Sequence, residues 1–270
     1  MSDGSSLDAA VLAYYQQGHE RGRLETWCQL EFIRTQELLH RFLPPPPARV
    51  LDVGGAAGIH AKPLADAGYD MTLTDPVSLH IDQARAAGIP QAELGDARQL
   101  RFDDDTFDAV LLLGPLYHLP NRCDRIRAIK EARRVAGPSG LVLAAIISRF
   151  ASTQDGLSRK FLLDQDFEEI VKDDIATGHH QNPDDVPGWF TTAYFHDPLE
   201  LDEEFHDGGC SVNRVLAIEG PASNLPDTDE WLNNPVHRDV LLRAIRRVED
   251  HPSLLGASSH LLVVSQSATG

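Results

Sequence analysis

Four polar groups in this chain each follow an apolar run: Asp52 after RVL, Asp75 after MTLT, Asp96 in AELGD, and the pair Tyr117 and His118 in AVLLLGPLYHL. Asp52 leads into Gly54, Gly55, Ala56, Ala57 and Gly58, small residues that let a backbone turn sharply and meet a ligand without interference from Cβ atoms. An apolar strand, a glycine-rich turn and a helix N-terminus together make a cradle for a nucleotide-type ligand. A carboxylate at Asp75 can accept both hydroxyls of a ribose, and Asp96, beside Ala97, is placed to meet an adenine amino group. Gly114 ends the fourth run. His118 follows it, and an imidazole with a reference pKa of about 6.5 suits removal of a proton at neutral pH. Tyr117 is its neighbour and the second candidate for the chemistry.

These groups meet at one rim only if strands and helices alternate. Apolar periodicity predicts strands over 49–55, 70–75, 91–95, 108–114, 140–147, 211–219 and 260–265. Helices are predicted over 59–67, 78–87, 121–136, 198–207 and about 229–249. Strands separated by helix-sized segments imply right-handed crossovers and a parallel sheet, an α/β doubly wound architecture. Ligands of such sheets sit beyond the carboxyl ends of the strands, where the strand order reverses. Ahead of the first strand, spaced apolar residues from Leu7 to Phe42 suit two helices broken near Gly18–Gly22, and Pro44–Pro47 closes that prefix. Residues 1–47 are thus expected to form a helical cap on a domain spanning 48–270. Residues 149–198 break the rhythm with mixed polar, aromatic and histidine content and are expected to form a mostly helical lid.

Composition narrows the partners. The chain has 270 residues, 42% hydrophobic, with 24 Lys plus Arg against 41 Asp plus Glu, a formal net charge of -17. Such a balance argues against a phosphate-backbone footprint, so nucleic acid is not an expected partner. The three cysteines, Cys28, Cys123 and Cys210, lie far apart, without disulfide or zinc spacing, and fit a reducing cytoplasm. No run approaches a membrane span of about 18 residues and no secretory leader is evident, so a cytoplasmic protein is expected.

The ordered set DVGGAAG at Asp52–Gly58, Asp75, Asp96 and FDAVLLLGPLYHL at 107–119 resembles the class I S-adenosylmethionine-dependent methyltransferases. EARRVAGPSGLVLAA at 131–145 is similar to that family's helix, turn and fifth strand, and the late strands fit its sixth and its antiparallel seventh. The resemblance implies a Rossmann-like seven-stranded sheet and S-adenosyl-L-methionine as cofactor. Asp52, Gly54, Gly55, Ala56 and Gly58 would hold the cofactor's amino-acid end, Asp75 its ribose, and Asp96 with Ala97 its adenine; Gly114 would complete that site. One departure is Ala56 in place of the family's middle glycine, tolerable if the backbone there keeps negative φ. By the same resemblance the prefix closes the site, with Arg23 reaching the methionine carboxylate, Tyr15 the sulfonium region, and Tyr14 the substrate.

The expected reaction is methylation of an O or N atom of a small molecule, with His118 and Tyr117 in the catalytic role. His179, Tyr194 and His196 are the expected substrate contacts in the lid; adjacent histidines without HxH or HExxH spacing give no metal site. The prefix helices could also mediate a homodimer. The alternatives are a catalytically silent binding or scaffolding protein on the same fold, and a nicotinamide-dependent oxidoreductase, which GGAAG serves poorly because it lacks GxGxxG spacing.

Overall fold

The computed structural model describes residues 28–268. Tyr14, Tyr15 and Arg23, in the part of the prefix before residue 28, lie outside the described residues. Seven strands form one sheet: β1 Arg49–Val53, β2 Asp70–Asp75, β3 Ala92–Leu94, β4 Ala109–Leu112, β5 Leu141–Ile147, β8 Cys210–Ala217 and β9 His260–Ser267. Two short strands, β6 His179–His180 and β7 Ala193–Tyr194, pair separately as an antiparallel ribbon. The sheet order is β3-β2-β1-β4-β5-β9-β8. β1 lies parallel to both β2 and β4, with Asp52 opposite Leu73 on one side and Leu111 on the other. The order therefore reverses between β1 and β4, which puts the glycine turn at the switch point. β9 runs antiparallel to β5 and to β8, the Rossmann-like arrangement with an antiparallel last strand.

Apolar side chains leave both faces of the sheet because its central strands are covered on both sides. On one face, Leu38 and Leu39 of α1 (Gln29–Phe42), Leu64 of α2 (Ala61–Asp66) and Ile81 of α3 (Ser78–Ala86) pack on Val50, Leu73 and Leu111. On the other, Ala128, Ile129 and Ala132 of α4 (Arg122–Ala136) and Phe205 of α7 (Leu201–Asp207) pack on Leu51, Val110 and Leu112. The described part of the expected cap is thus built into the core. Arg34 of α1 is fully buried, donating to the Ile218 carbonyl and to Glu249.

Two expectations change. The helix expected over about 229–249 is divided into α8 (Thr228–Asn233) and α9 (Pro235–Arg246), because Pro235 starts a new helix whose Val236 and His237 amides are capped by Asn234. The segment 149–198 does hold α5 (Ala151–Ser158) and α6 (Gln165–Thr177), but it also contains the β6–β7 ribbon that sequence periodicity did not show. A final short helix, α10 (Pro252–Leu255), precedes β9.

Candidate functional site

Beyond Val53 the chain turns through Gly54 at φ 69°, Ala56 at φ 47° and Gly58 at φ 83°. Glycine is required at two points for contact reasons as well. A Cβ on Gly54 would stand 2.8 Å from Pro115 Cγ, and one on Gly55 would stand 2.5 Å from Asp52 Oδ2 and 2.7 Å from Leu73 Cδ1. The turn is tied to β2: Gly54 N–H donates to the Thr74 carbonyl at 2.7 Å, and Ala56 N–H to Asp75 Oδ2 at 3.0 Å. Ala56 does not keep the negative φ expected of it. It sits in the left-handed region, at a cost of roughly 1 to 2 kcal/mol for an L-residue, because its amide must face Asp75.

Asp52 is 1% exposed, and neither of its carboxylate oxygens meets a hydrogen-bond partner among the described residues. Burial, and then the charge of Asp75, push its pKa up to about 7. Asp75 is better supplied: its Oδ1 accepts the Val77 N–H at 2.9 Å and lies 2.9 Å from His80 Nδ1, while its Oδ2 takes the Ala56 amide. It therefore braces the glycine turn against the start of α3 before it meets any ligand. Asp96 accepts from Arg98 through the backbone amide at 2.8 Å and through Nη2 at 2.6 Å, and Arg98 also reaches Asp124. Burial opposes ionisation of Asp96, but the Arg98 hydrogen bonds outweigh it and hold the carboxyl below the usual carboxylate range.

Asp52, the glycine turn, Asp75 and Asp96 line one cavity of about 1740 Å³. Ala97, Gly114, Tyr117 and His118 stand on the same wall. A short 3-10 turn, Pro115–His118, carries His118 inward. Its ring stacks on Phe190 at 5.8 Å and meets the edge of Tyr117 at 4.6 Å. Tyr117 donates its hydroxyl to the Leu113 carbonyl at 3.2 Å, which fixes the ring as a wall element.

The structure does not bring the expected lid contacts to this cavity. His179, Tyr194 and His196 are absent from its wall. His179 is exposed and packs on Tyr194 across the ribbon at 5.3 Å. The Tyr194 ring lies under the Arg125 guanidinium at 3.6 Å, and its hydroxyl accepts from Arg149. His196 is 1% exposed and faces Glu204 across 3.1 Å, and Arg125 donates to the same carboxylate. Burial pushes Glu204 up, but hydrogen bonds from His196 and Arg125 outweigh it and hold it at about 2. These residues knit the ribbon to α4 and α7. The cavity wall from 149–198 is instead supplied by Ser152, Phe167, His180, Trp189 and Phe190, together with Phe195. His180 is 2% exposed and braced by Asp174 at 2.9 Å. Sequence reasoning also missed Glu31, Glu219 and His260, which line the cavity from three distant parts of the chain; no spacing rule connects them.

Residues 51–144 match the family model described as a methyltransferase domain. That match runs from β1 into β5 and so includes the glycine turn, Asp75, Asp96 and the turn after β4. An uncharacterized methyltransferase of Mycobacterium tuberculosis is 37% identical over 106 residues, 38% of this chain and 42% of that relative. The chain thus matches less than half the length of that curated relative. A ubiquinone biosynthesis O-methyltransferase of Caulobacter sp. is 26% identical over 213 residues, 71% of this chain and 82% of the relative. Among solved structures, an S-adenosylmethionine-dependent methyltransferase from Methanosarcina mazei superposes with a TM-score of 0.55 at 21% identity, covering 86% of this chain and 98% of that one.

S-adenosyl-L-methionine is the cofactor that accompanies this domain, and the residues fit it. The buried, unpaired Asp52 carboxylate beneath the glycine turn is an acceptor that lacks a donor, and the cofactor's ammonium is one. A Cβ on Gly55 would crowd that carboxylate, and Asp52 and Gly55 both line the cavity. Asp75 uses three hydrogen-bonding positions internally, of about four that a carboxylate offers.

Proposed function

We propose that this protein is an S-adenosyl-L-methionine-dependent methyltransferase acting on an oxygen or nitrogen atom of a small molecule. The observation that carries the reading is Asp52: a carboxylate buried without a partner at the switch point of the sheet, facing a cavity large enough for a nucleoside cofactor and a second molecule. The cofactor supplies an activated methyl group on a sulfonium. Asp52 would hold the cofactor's ammonium, Asp75 a ribose hydroxyl, and the rim at Asp96 and Ala97 the adenine edge.

The rest of the work is positioning and proton removal. The rings of Tyr117, His118, Trp189 and Phe190 form an apolar wall that orients a flat acceptor and keeps water out. His118, at the end of the turn after β4, takes the acceptor's proton when the nucleophile is a hydroxyl. The net charge of -17 and the enclosure by residues 149–198 support a small acceptor over nucleic acid. The O-methyltransferase relative supports an oxygen acceptor. Among the described residues no helix is long and apolar enough to cross a membrane.

The test is a calorimetric titration with S-adenosyl-L-methionine followed by a screen of small hydroxyl and amine acceptors for formation of S-adenosylhomocysteine. Saturable binding and turnover are expected, with turnover falling in His118→Ala at unchanged cofactor affinity. Binding without turnover on any acceptor would point to a catalytically silent binding protein. Absence of binding would remove the reading altogether.

A further inference from the structure

Between the two strands of the β6–β7 ribbon the chain makes a loop, residues 181–192, that supplies part of the cavity wall. Its tip is tied to itself. Asn182 Nδ2 donates to the Val186 carbonyl at 3.1 Å and to the Trp189 carbonyl at 2.9 Å, and Asn182 Oδ1 accepts the Val186 N–H at 2.9 Å. Compact surface loops of this kind, with their ends close together, are packed by their own side chains. This one brings Val186, Pro187, Trp189 and Phe190 to the cavity.

At the neck of the loop stands His180, 2% exposed, its ring stacked on Phe195 at 4.7 Å. Nδ1 lies 2.9 Å from Oδ2 and 3.2 Å from Oδ1 of Asp174, a fully buried residue of α6. Nε2 lies 3.3 Å from the Phe190 carbonyl oxygen. A carbonyl oxygen only accepts, so this bond requires a proton on Nε2. An ionised Asp174 also only accepts, and requires a proton on Nδ1. Both bonds together need two protons on the pair: one on each ring nitrogen, or one on Asp174 and one on Nε2. When a single proton remains, the buried carboxylate holds it on Nδ1 through a charge-assisted bond. Nε2 then turns a bare lone pair toward the Phe190 oxygen, and the tie between ribbon and loop is lost.

We propose that His180 is a positioning residue for the acceptor wall: the Asp174–His180 pair, holding two protons, clasps the loop at Phe190, and loss of one proton releases Trp189 and Phe190 from the cavity. That this wall receives an acceptor rests on the methyltransferase reading; the clasp itself does not. Other titratable groups stand around the ribbon. His118 stacks on Phe190, the exposed His179 packs on Tyr194, and Arg149 and Glu200 are joined to each other at 2.7 Å beside Tyr194. Among the described residues, the polar partners of the His180 ring are Asp174 and the Phe190 carbonyl.

The test is fluorine NMR of the whole protein labelled with 5-fluorotryptophan, followed from pH 6 to pH 9 with and without S-adenosylhomocysteine. The Trp189 resonance is identified by its loss in Trp189→Phe. At pH 6 it is expected to lie apart from its position in His180→Ala, and by pH 9 to have moved to that position. In Asp174→Asn it should keep its pH 6 position throughout, because an amide N–H donates to Nδ1 and the neutral ring then carries its proton on Nε2. A bracing role alone would not let the loss of the charged partner fix the loop. If His180→Ala does not fold, wild type against Asp174→Asn decides. A wild-type resonance that does not move overturns the proposal. So does a pH response that survives in Asp174→Asn, which would belong to Asp52 or His118 instead. With an acceptor turned over in the screen above, KM should rise at least fivefold across this range in wild type and less than twofold in Asp174→Asn; the same rise in both also overturns it. S-adenosylhomocysteine affinity should stay within twofold in both variants. Absence of that binding in wild type removes the methyltransferase reading, while the NMR result still decides the clasp.

Discussion

The rim under β1 and β2 and the wall opposite it face one cavity but are built in different ways. At the rim, the groups come from a few consecutive turns, and backbone bonds set their geometry: Gly54 to Thr74, Ala56 to Asp75, Val77 to Asp75. Across from it, Glu31, Ser152, Trp189, Glu219 and His260 come from separate elements and meet only because the chain has folded. A rim of the first kind accommodates a constant ligand. A wall of the second kind can change its acceptor by substitution without disturbing the cofactor.

The sharpest way to break this contrast is at Asp52. Its folded pKa of about 7 lies above the ordinary 3.8, so between those values the folded state holds a proton that the unfolded chain has lost. Stability of the ligand-free protein therefore falls as pH rises through this window and levels off above about 7, by about 4 kcal/mol in all. Asp52→Asn removes the penalty. It should raise the unfolding free energy at pH 8 by up to that amount in chemical denaturation, flatten the pH profile, and weaken S-adenosylhomocysteine binding. A variant that is less stable than wild type at pH 8 would contradict the buried-carboxylate account.

Glu204 gives the opposite sign and no cofactor effect. Held at about 2, against an ordinary 4.5, it contributes stability that is present above about 4.5 and lost as pH falls toward 2, about 3 kcal/mol. Glu204→Gln should cost about that much at pH 7, since Arg125 and His196 lose their charged partner. S-adenosylhomocysteine affinity should stay within twofold; a large loss would mean that the ribbon network and the rim are coupled.

Asp75 joins the two kinds of effect. Asp75→Ala should weaken cofactor binding by about 1 to 3 kcal/mol, as for lost charge-assisted hydrogen bonds, and should also lower the thermal midpoint because the turn loses its brace. Unchanged affinity in calorimetry would take Asp75 out of the ribose role. The smallest effect is expected at Ala56→Gly. Relief of the positive φ outweighs the added chain entropy by only about 0.5 kcal/mol, seen as a slight rise in midpoint with cofactor affinity unchanged or better.

The sequence made this division visible in part. Short apolar runs followed by acids placed Asp52, Asp75 and Asp96 on one rim, because strands separated by helix-sized segments run parallel and end on the same side. The positive φ of Ala56 was not legible, since it follows from the reach of its amide to a side chain on β2. Histidine and tyrosine content drew attention to His179, Tyr194 and His196, but residue type does not say which way a ribbon faces. Tyr194 is turned instead toward the Arg149–Glu200 pair and His196 toward the buried Arg125–Glu204 pair. Glu31, Glu219 and His260 carried no signal at all, because their proximity depends on α1, β8 and β9 meeting in space.

The central claim is that Asp52 receives the ammonium of the cofactor, and proton linkage tests it most directly. Near pH 6 the carboxyl is mostly protonated, so pairing with an ammonium must expel the proton. Calorimetric titration with S-adenosylhomocysteine at pH 6, in two buffers of different ionisation enthalpy, should show release of close to one proton per molecule bound, and none in Asp52→Asn. Binding with no proton release in the wild-type protein, or the same release in the variant, would contradict the account.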